Sequence, residues 1–200
     1  MRIAAVAVAV ALGGCSLLPR QPVPTTWEGE WAAQRDRFTR SGRVYDRVDD
    51  QLFATATYQA PSARRARAER LAEWKAMTAA EREQLLAAER AEAETWEEFL
   101  LSVYTPDRVT NDLDSPRSVW RLALVVEGAG ELLPAGRPDV VRVDATVAGL
   151  YPYAGKFDVV YRVRFPRWTG ERSLAEIPFS LVMAGAPGKL ELRFNRPAAK

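Results

Sequence analysis

Cys15 is the single cysteine of this 200-residue chain, and the chain has no histidine. Without histidine, Ser-His-Asp and Cys-His catalysis, imidazole general bases and imidazole metal ligands are excluded. With one thiol, an internal disulfide and a cysteine zinc site are excluded too. What remains is oxygen chemistry. The densest oxygen cluster is Asp107-Arg108-Val109-Thr110-Asn111-Asp112-Leu113-Asp114. Asn111, Asp112 and Asp114 could ligate calcium, which takes about six to eight oxygens. The spacing departs from an EF-hand, because its glycine and distal glutamate are missing and Pro116 intervenes. The segment therefore reads as a polar loop with Asx-turns. Asp49-Asp50 and Glu97-Glu98 are adjacent carboxylate pairs. Neighbours on a strand point to opposite faces, so neither pair is a ready acid/base dyad, and both read as solvated surface. A glycosidase needs two carboxylates across a cleft, and the sequence singles out no such pair. There is no Ser-x-x-Lys and no Gly-x-Ser-x-Gly elbow. Gly128-Ala129-Gly130 leads into Leu132-Leu133-Pro134 rather than a helix, so it is not a phosphate loop.

The amino-terminal segment gives Cys15 a context. Arg2 is followed by ten apolar residues, Ile3 to Leu12. That run is a charged start and a short hydrophobic stretch, below the roughly 20 residues of a spanning helix. It ends in Leu12-Gly13-Gly14-Cys15, which resembles the lipobox of bacterial lipoproteins. The resemblance implies that the Cys15 thiol receives a diacylglycerol, that residues 1–14 are removed, and that the new amino group is acylated. Two or more acyl chains hold a protein on a bilayer stably, whereas one does so marginally. Ser16, in place of Asp, resembles default sorting to the outer membrane facing the periplasm rather than inner-membrane retention. Residues 15–26, with three prolines, read as an extended tether.

Residues 27–200 then form one domain by length and pattern. Thr25 with Glu28 fits a capping box for a short helix through Trp31 and Phe38. Residues 43–58 read as a strand with Leu52, Ala54, Ala56 and Tyr58 on one face. Ser62 can cap a helix to about Met77, and Thr78 with Glu81 is a capping box for another to about Trp96. The first of these carries five positive and two negative side chains. The second, counted to Glu98, carries two positive and seven negative. Opposite signs suit a helical hairpin with complementary contacts, or simply two solvated faces.

From residue 98 the period becomes two. Phe99, Leu101 and Val103 alternate, as do Trp120, Leu122, Leu124 and Val126, and then Val141, Val143 and Ala145. Phe157, Val159, Tyr161, Val163 and Phe165 follow, then Ile177, Phe179, Leu181 and Met183, and finally Leu190, Leu192 and Phe194. Arg162, Arg164, Glu191 and Arg193 fall on solvated faces. The predicted fold is α+β, mainly β. It is an antiparallel β-sandwich of about seven strands, the immunoglobulin-like arrangement among them, with a helical hairpin at about 62–97 inserted after the first strand. A half-open barrel is the competing architecture.

Composition narrows the partners. Of the 28 basic residues only four are lysine, yet the net charge is +2, and +1 once Arg2 is removed with the leader. That balance argues against a nucleic-acid binder, which would show a strongly basic face, so no nucleic-acid partner is expected. The expected partner is the membrane, through the lipid on Cys15, with an envelope protein as a further partner. The expectation includes no cofactor, no metal ligand and no catalytic residue. The Tyr151-Pro152-Tyr153 loop reads either as core closure or as an aromatic contact tip. The function that fits is a non-enzymatic interaction or accessory module of the bacterial envelope. A carboxylate-based envelope hydrolase and a binder of lipid or another apolar ligand are the alternatives.

Overall fold

A computed structural model describes residues 27–46 and 49–195. The leader, the lipobox with Cys15 and the tether lie outside the described residues. The chain opens with helix α1 (Trp27–Arg37), then strands β1 (Thr39–Asp46) and β2 (Asp49–Tyr58). Helices α2 (Pro61–Trp74) and α3 (Ala79–Thr95) follow, then β3 (Trp96–Tyr104), β4 (Trp120–Val126), β5 (Gly130–Leu132) and β6 (Asp139–Val141). Helix α4 (Ala145–Leu150) precedes β7 (Val159–Pro166), β8 (Phe179–Gly185) and β9 (Gly188–Phe194). The nine strands form two antiparallel sheets, ordered β1-β2-β3-β7-β6 and β5-β4-β8-β9. The fold is thus mixed α+β, mainly β.

The period-two pattern builds the space between the sheets. Alternate residues of a strand share a face, so one apolar set from each strand turns inward. Leu52, Ala54, Ala56 and Tyr58 meet Phe99, Leu101 and Val103, and all seven are buried. Tyr161, Val163 and Phe165 complete that sheet's inner face, and Leu124, Phe179, Leu181, Leu192 and Phe194 face them from the other sheet. Phe99 is the packing centre, with ring contacts to Tyr58 (5.2 Å), Phe165 (5.8 Å), Phe179 (6.1 Å) and Phe194 (5.7 Å). The contacts to Phe165, Phe179 and Phe194 are edge-to-face, the geometry ring quadrupoles favour. Along one side the edge strands β1 and β9 lie together. A Cβ on Gly42 would come within 2.6 Å of Leu190 Cδ1, so a larger residue there would have to displace that side chain.

Several expectations are corrected. Residues 43–58 are not one strand. They are most of a hairpin, with β1 and β2 paired from Thr39↔Thr57 to Asp46↔Asp49, and this raises the strand count. No glycine or proline marks the reversal, so the alternation reads through it. Alternation at 141–145 ends at Val141. Asp144 then caps α4, its carboxylate accepting from Val147 N at 2.8 Å. Phe157 is 70% exposed and precedes β7 instead of joining the core. Helix α2 begins at Pro61, whose fixed φ suits the first helical position, and Ser62 is not its cap. The capping box of Thr78 and Glu81 forms as expected and starts α3.

The hairpin α2–α3 covers the outer face of the five-stranded sheet. Small residues let α2 sit close: Ala60, Ala63 and Ala66 are fully or almost fully buried. Within α3 only Ala93 is buried, so apolar packing alone cannot hold that helix.

Replacing Phe99 with alanine removes the ring on which both sheets converge. The expected loss is about 3–5 kcal/mol, read from urea unfolding of the two proteins. A loss below about 1 kcal/mol would show that the sheets do not depend on this contact.

Candidate functional site

Strand β3 carries Glu97 and Glu98 in succession at the centre of the five-stranded sheet. The strand turns them to opposite faces, as expected, yet both are buried, at 1% and 6% exposure, and not solvated. Burying an ionised carboxylate is costly unless it is paired and hydrogen-bonded. Each has such partners.

Glu97 sits at one end of the space between the sheets. It accepts from Tyr58 OH at 2.6 Å and from Trp168 N at 3.1 Å, and pairs with the Arg167 guanidinium. Burial, together with the Glu97 charge beside it, pushes the Tyr58 phenol well above its ordinary value, so it stays a donor.

Glu98 faces the helices. The strand register places it opposite Arg164 of β7, whose Nε donates at 3.0 Å. Arg64 of α2 approaches with Nη2 at 3.5 Å, while its Nη1 donates to Glu89 of α3 at 3.0 Å and its Nε to Gln59 O at 3.2 Å. Arg67 lies three residues on, on the same helical face. Its Nη2 donates to both Glu89 oxygens at 2.7 Å, and its Nη1 to Gln59 Oε1 at 2.9 Å and Tyr151 OH at 3.1 Å. Arg164 also reaches Glu92 of α3 at 3.2 Å, and Arg82 clamps Glu69 further along the hairpin at 2.5 Å. The opposite helix charges seen in the sequence are therefore complementary contacts. The readable signal was the three-residue spacing of Arg64 and Arg67 and of Glu89 and Glu92. Their common target, Glu98, was not readable.

The network walls one side of a cleft of about 350 Å³ between the hairpin, strands β3 and β7, and α4. Leu100, Val147, Leu150 and Tyr151 provide an apolar side. Arg162, expected on a solvated face, is exposed at this cleft, whereas Arg164 on the same face is half-buried.

The other sequence candidates have structural roles. The rings of Tyr151 and Tyr153 do not form a displayed tip. Tyr151 is buried edge-on to Trp31 at 5.4 Å, and Tyr153 OH bonds Thr57 Oγ1 at 2.6 Å. In the Asp107–Asp114 loop, Asp107 accepts from Val109 N, the Asx-type contact expected, whereas Asp112 accepts from Val119 N seven residues on and closes the loop. Asn111 bridges Val103 O and Tyr161 OH. Among the described residues no three of Asp, Glu, His or Cys gather as a metal site. The side chains of Asp49 and Asp50 lie outside the described residues.

Chemically, the cleft holds Glu89 ionised. Burial pushes the Glu89 carboxyl up, but the Arg67 and Arg64 guanidiniums outweigh that and hold it below its ordinary value. A glycosidase general acid must be held protonated, the opposite condition.

No protein-family model matches this chain, and no curated protein does. Among solved structures, a novel protein of unknown function from Burkholderia pseudomallei K96243 is similar over 84% of this chain and 83% of its own, at 12% identity and a TM-score of 0.42. Among the described residues no helix is long and apolar enough to cross a membrane.

The Glu89 pairing makes a pH prediction. Its folded value is depressed below 4.5, so its contribution is complete above that pH and is lost as pH falls through the folded value. Glu89→Gln removes the carboxylate shared by Arg64 and Arg67 and should cost about 3 kcal/mol at pH 7. Urea unfolding across a pH series should show the gap to wild type narrowing below pH 4.5. A gap that does not change with pH would contradict the pairing.

Proposed function

We propose that this chain is a lipid-anchored protein of the bacterial envelope, held by Cys15 and acting as an interaction or accessory module. The observation that carries the address is Leu12-Gly13-Gly14-Cys15 after a ten-residue apolar run, with no other cysteine in the chain. Sorting to the outer membrane, facing the periplasm, fits Ser16. The tether of residues 15–26 would let the domain stand off the bilayer and meet a partner.

Binding is favoured over catalysis by the charge arrangement at the cleft. Glu89, Glu92 and Glu98 each pair with arginine, and Glu89 is held ionised. That supports a charge-balanced surface more than it supports the hydrolase alternative, which needs one protonated carboxyl. The apolar side of the same cleft favours the second reading, a binder of an apolar or partly apolar ligand.

The test is Cys15→Ser in cells fed an alkynyl fatty acid. The unmodified chain should carry the label, sediment with membranes and crosslink to envelope components. The variant should lose the label and leave the membrane fraction. Unchanged fractionation, or an unlabelled wild type, would overturn the anchor. Turnover of peptidoglycan or polysaccharide that Glu98→Gln abolishes would overturn the non-catalytic reading.

A further inference from the structure

We infer that the cleft beside the helical hairpin binds a small organic acid, with the carboxylate on Arg162 and the apolar body on Leu100, Val147 and Leu150. The inference rests on the reading of the chain as a binding module and names the ligand class. Four arginines and three glutamates line the cleft, which leaves one positive charge over. Arg64, Arg67 and Arg164 are engaged by Glu89, Glu92 and Glu98. Arg162 differs. It is exposed, and its guanidinium makes no hydrogen bond or ion pair among the described residues, its strand pairing being by backbone alone. Its cross-strand neighbour is Asp139, and the two do not form an ion pair. Deeper in, Arg64 Nη2 is buried without a hydrogen bond, 3.5 Å from Glu98, so a polar donor lies behind the paired charges.

An unengaged guanidinium presents a planar fork that matches a carboxylate. Beside it the lining is aliphatic. Leu100 is 8% exposed and Leu150 5%, while Val141, Val147 and Leu71 are half-buried. A ligand that satisfies both sides joins a carboxylate to a short apolar body. The volume, about 350 Å³, is at the small end of ligand pockets, which run from about 300 to 1,000 Å³. That excludes a whole phospholipid and suits an aliphatic acid of about eight carbons. A medium-chain fatty acid and the carboxyl terminus of a peptide ending in an aliphatic residue share this chemistry.

The test is calorimetric titration of the full mature chain carrying Cys15→Ser, which is purified without lipid. The probes are octanoate below its micellar concentration, octanol, octylammonium, and the peptide Ala-Leu-Leu as free acid and as amide. Octanoate or the free-acid peptide should bind saturably at one site. The matched uncharged and cationic probes should bind at least about tenfold more weakly, the cost of one charged hydrogen bond. The stronger of the two acids identifies the source. Arg162→Gln should weaken the acid by about tenfold and leave octanol unchanged, with an unaltered melting temperature. Val147→Asp should abolish binding of the acid. No saturable binding by either acid, equal affinity for acid and neutral probe, or an unaffected Arg162→Gln variant would overturn the inference. Failure of this titration leaves the anchoring result at Cys15 untouched, and loss of anchoring leaves the titration untouched.

Discussion

Two buried carboxylates on one central strand organise the molecule. Glu97 and Glu98 are adjacent, so β3 must turn one toward the space between the sheets and the other toward the helices. Neither face has water to solvate the charge. Each therefore requires cations brought from elsewhere in the chain, and the elements that bring them are fixed by that requirement. Glu97 draws in Arg167 and the backbone of Trp168, closing one end of the sandwich. Glu98 draws in Arg164 from the next strand and Arg64 from α2. The second set then recruits α3, because Arg64 and Arg164 extend to Glu89 and Glu92. Because α3 buries only Ala93, the ion network is what holds that helix over the sheet, while buried alanines seat α2. The same network makes the hairpin's inner side polar at one wall of the cleft and aliphatic at the other.

The proposed binding reading rests on that division. A network in which every carboxylate is neutralised by arginine is a poor source of catalytic protons and a good source of fixed charge. The hairpin reaches Arg164 and stops short of Arg162, which leaves one cation of a paired set facing the cleft. Nothing in the core chemistry needs that cation. On the proposed reading it serves outward, toward a ligand or partner.

Much of the fold was legible because its signals are local. The alternating sets through Phe99, Leu124, Val163, Leu181 and Leu192 all turn inward. The capping box at Thr78 placed the start of α3. The hairpin reversal between Asp46 and Asp49 was not read, since its only turn residues are aspartates and no glycine or proline stands there. The start of α4 at Asp144 was masked by an alternation that continued into the helix. The site was the least legible part. Glu98 and Arg164 look like surface in sequence because their strands expose alternate residues. They become buried only when a hairpin distant in sequence covers them. Spacing can show that Arg64 and Arg67 share a helical face, but not what that face meets.

The account depends on Arg64 and Glu98 acting together rather than as two separately tolerated buried charges. A double-mutant cycle of Arg64→Met and Glu98→Gln, read by urea unfolding at pH 7, measures that directly. The account predicts large single losses and a double-mutant loss well below their sum, with a coupling of about 1.5–3 kcal/mol. Additive losses, with coupling near zero, would contradict it.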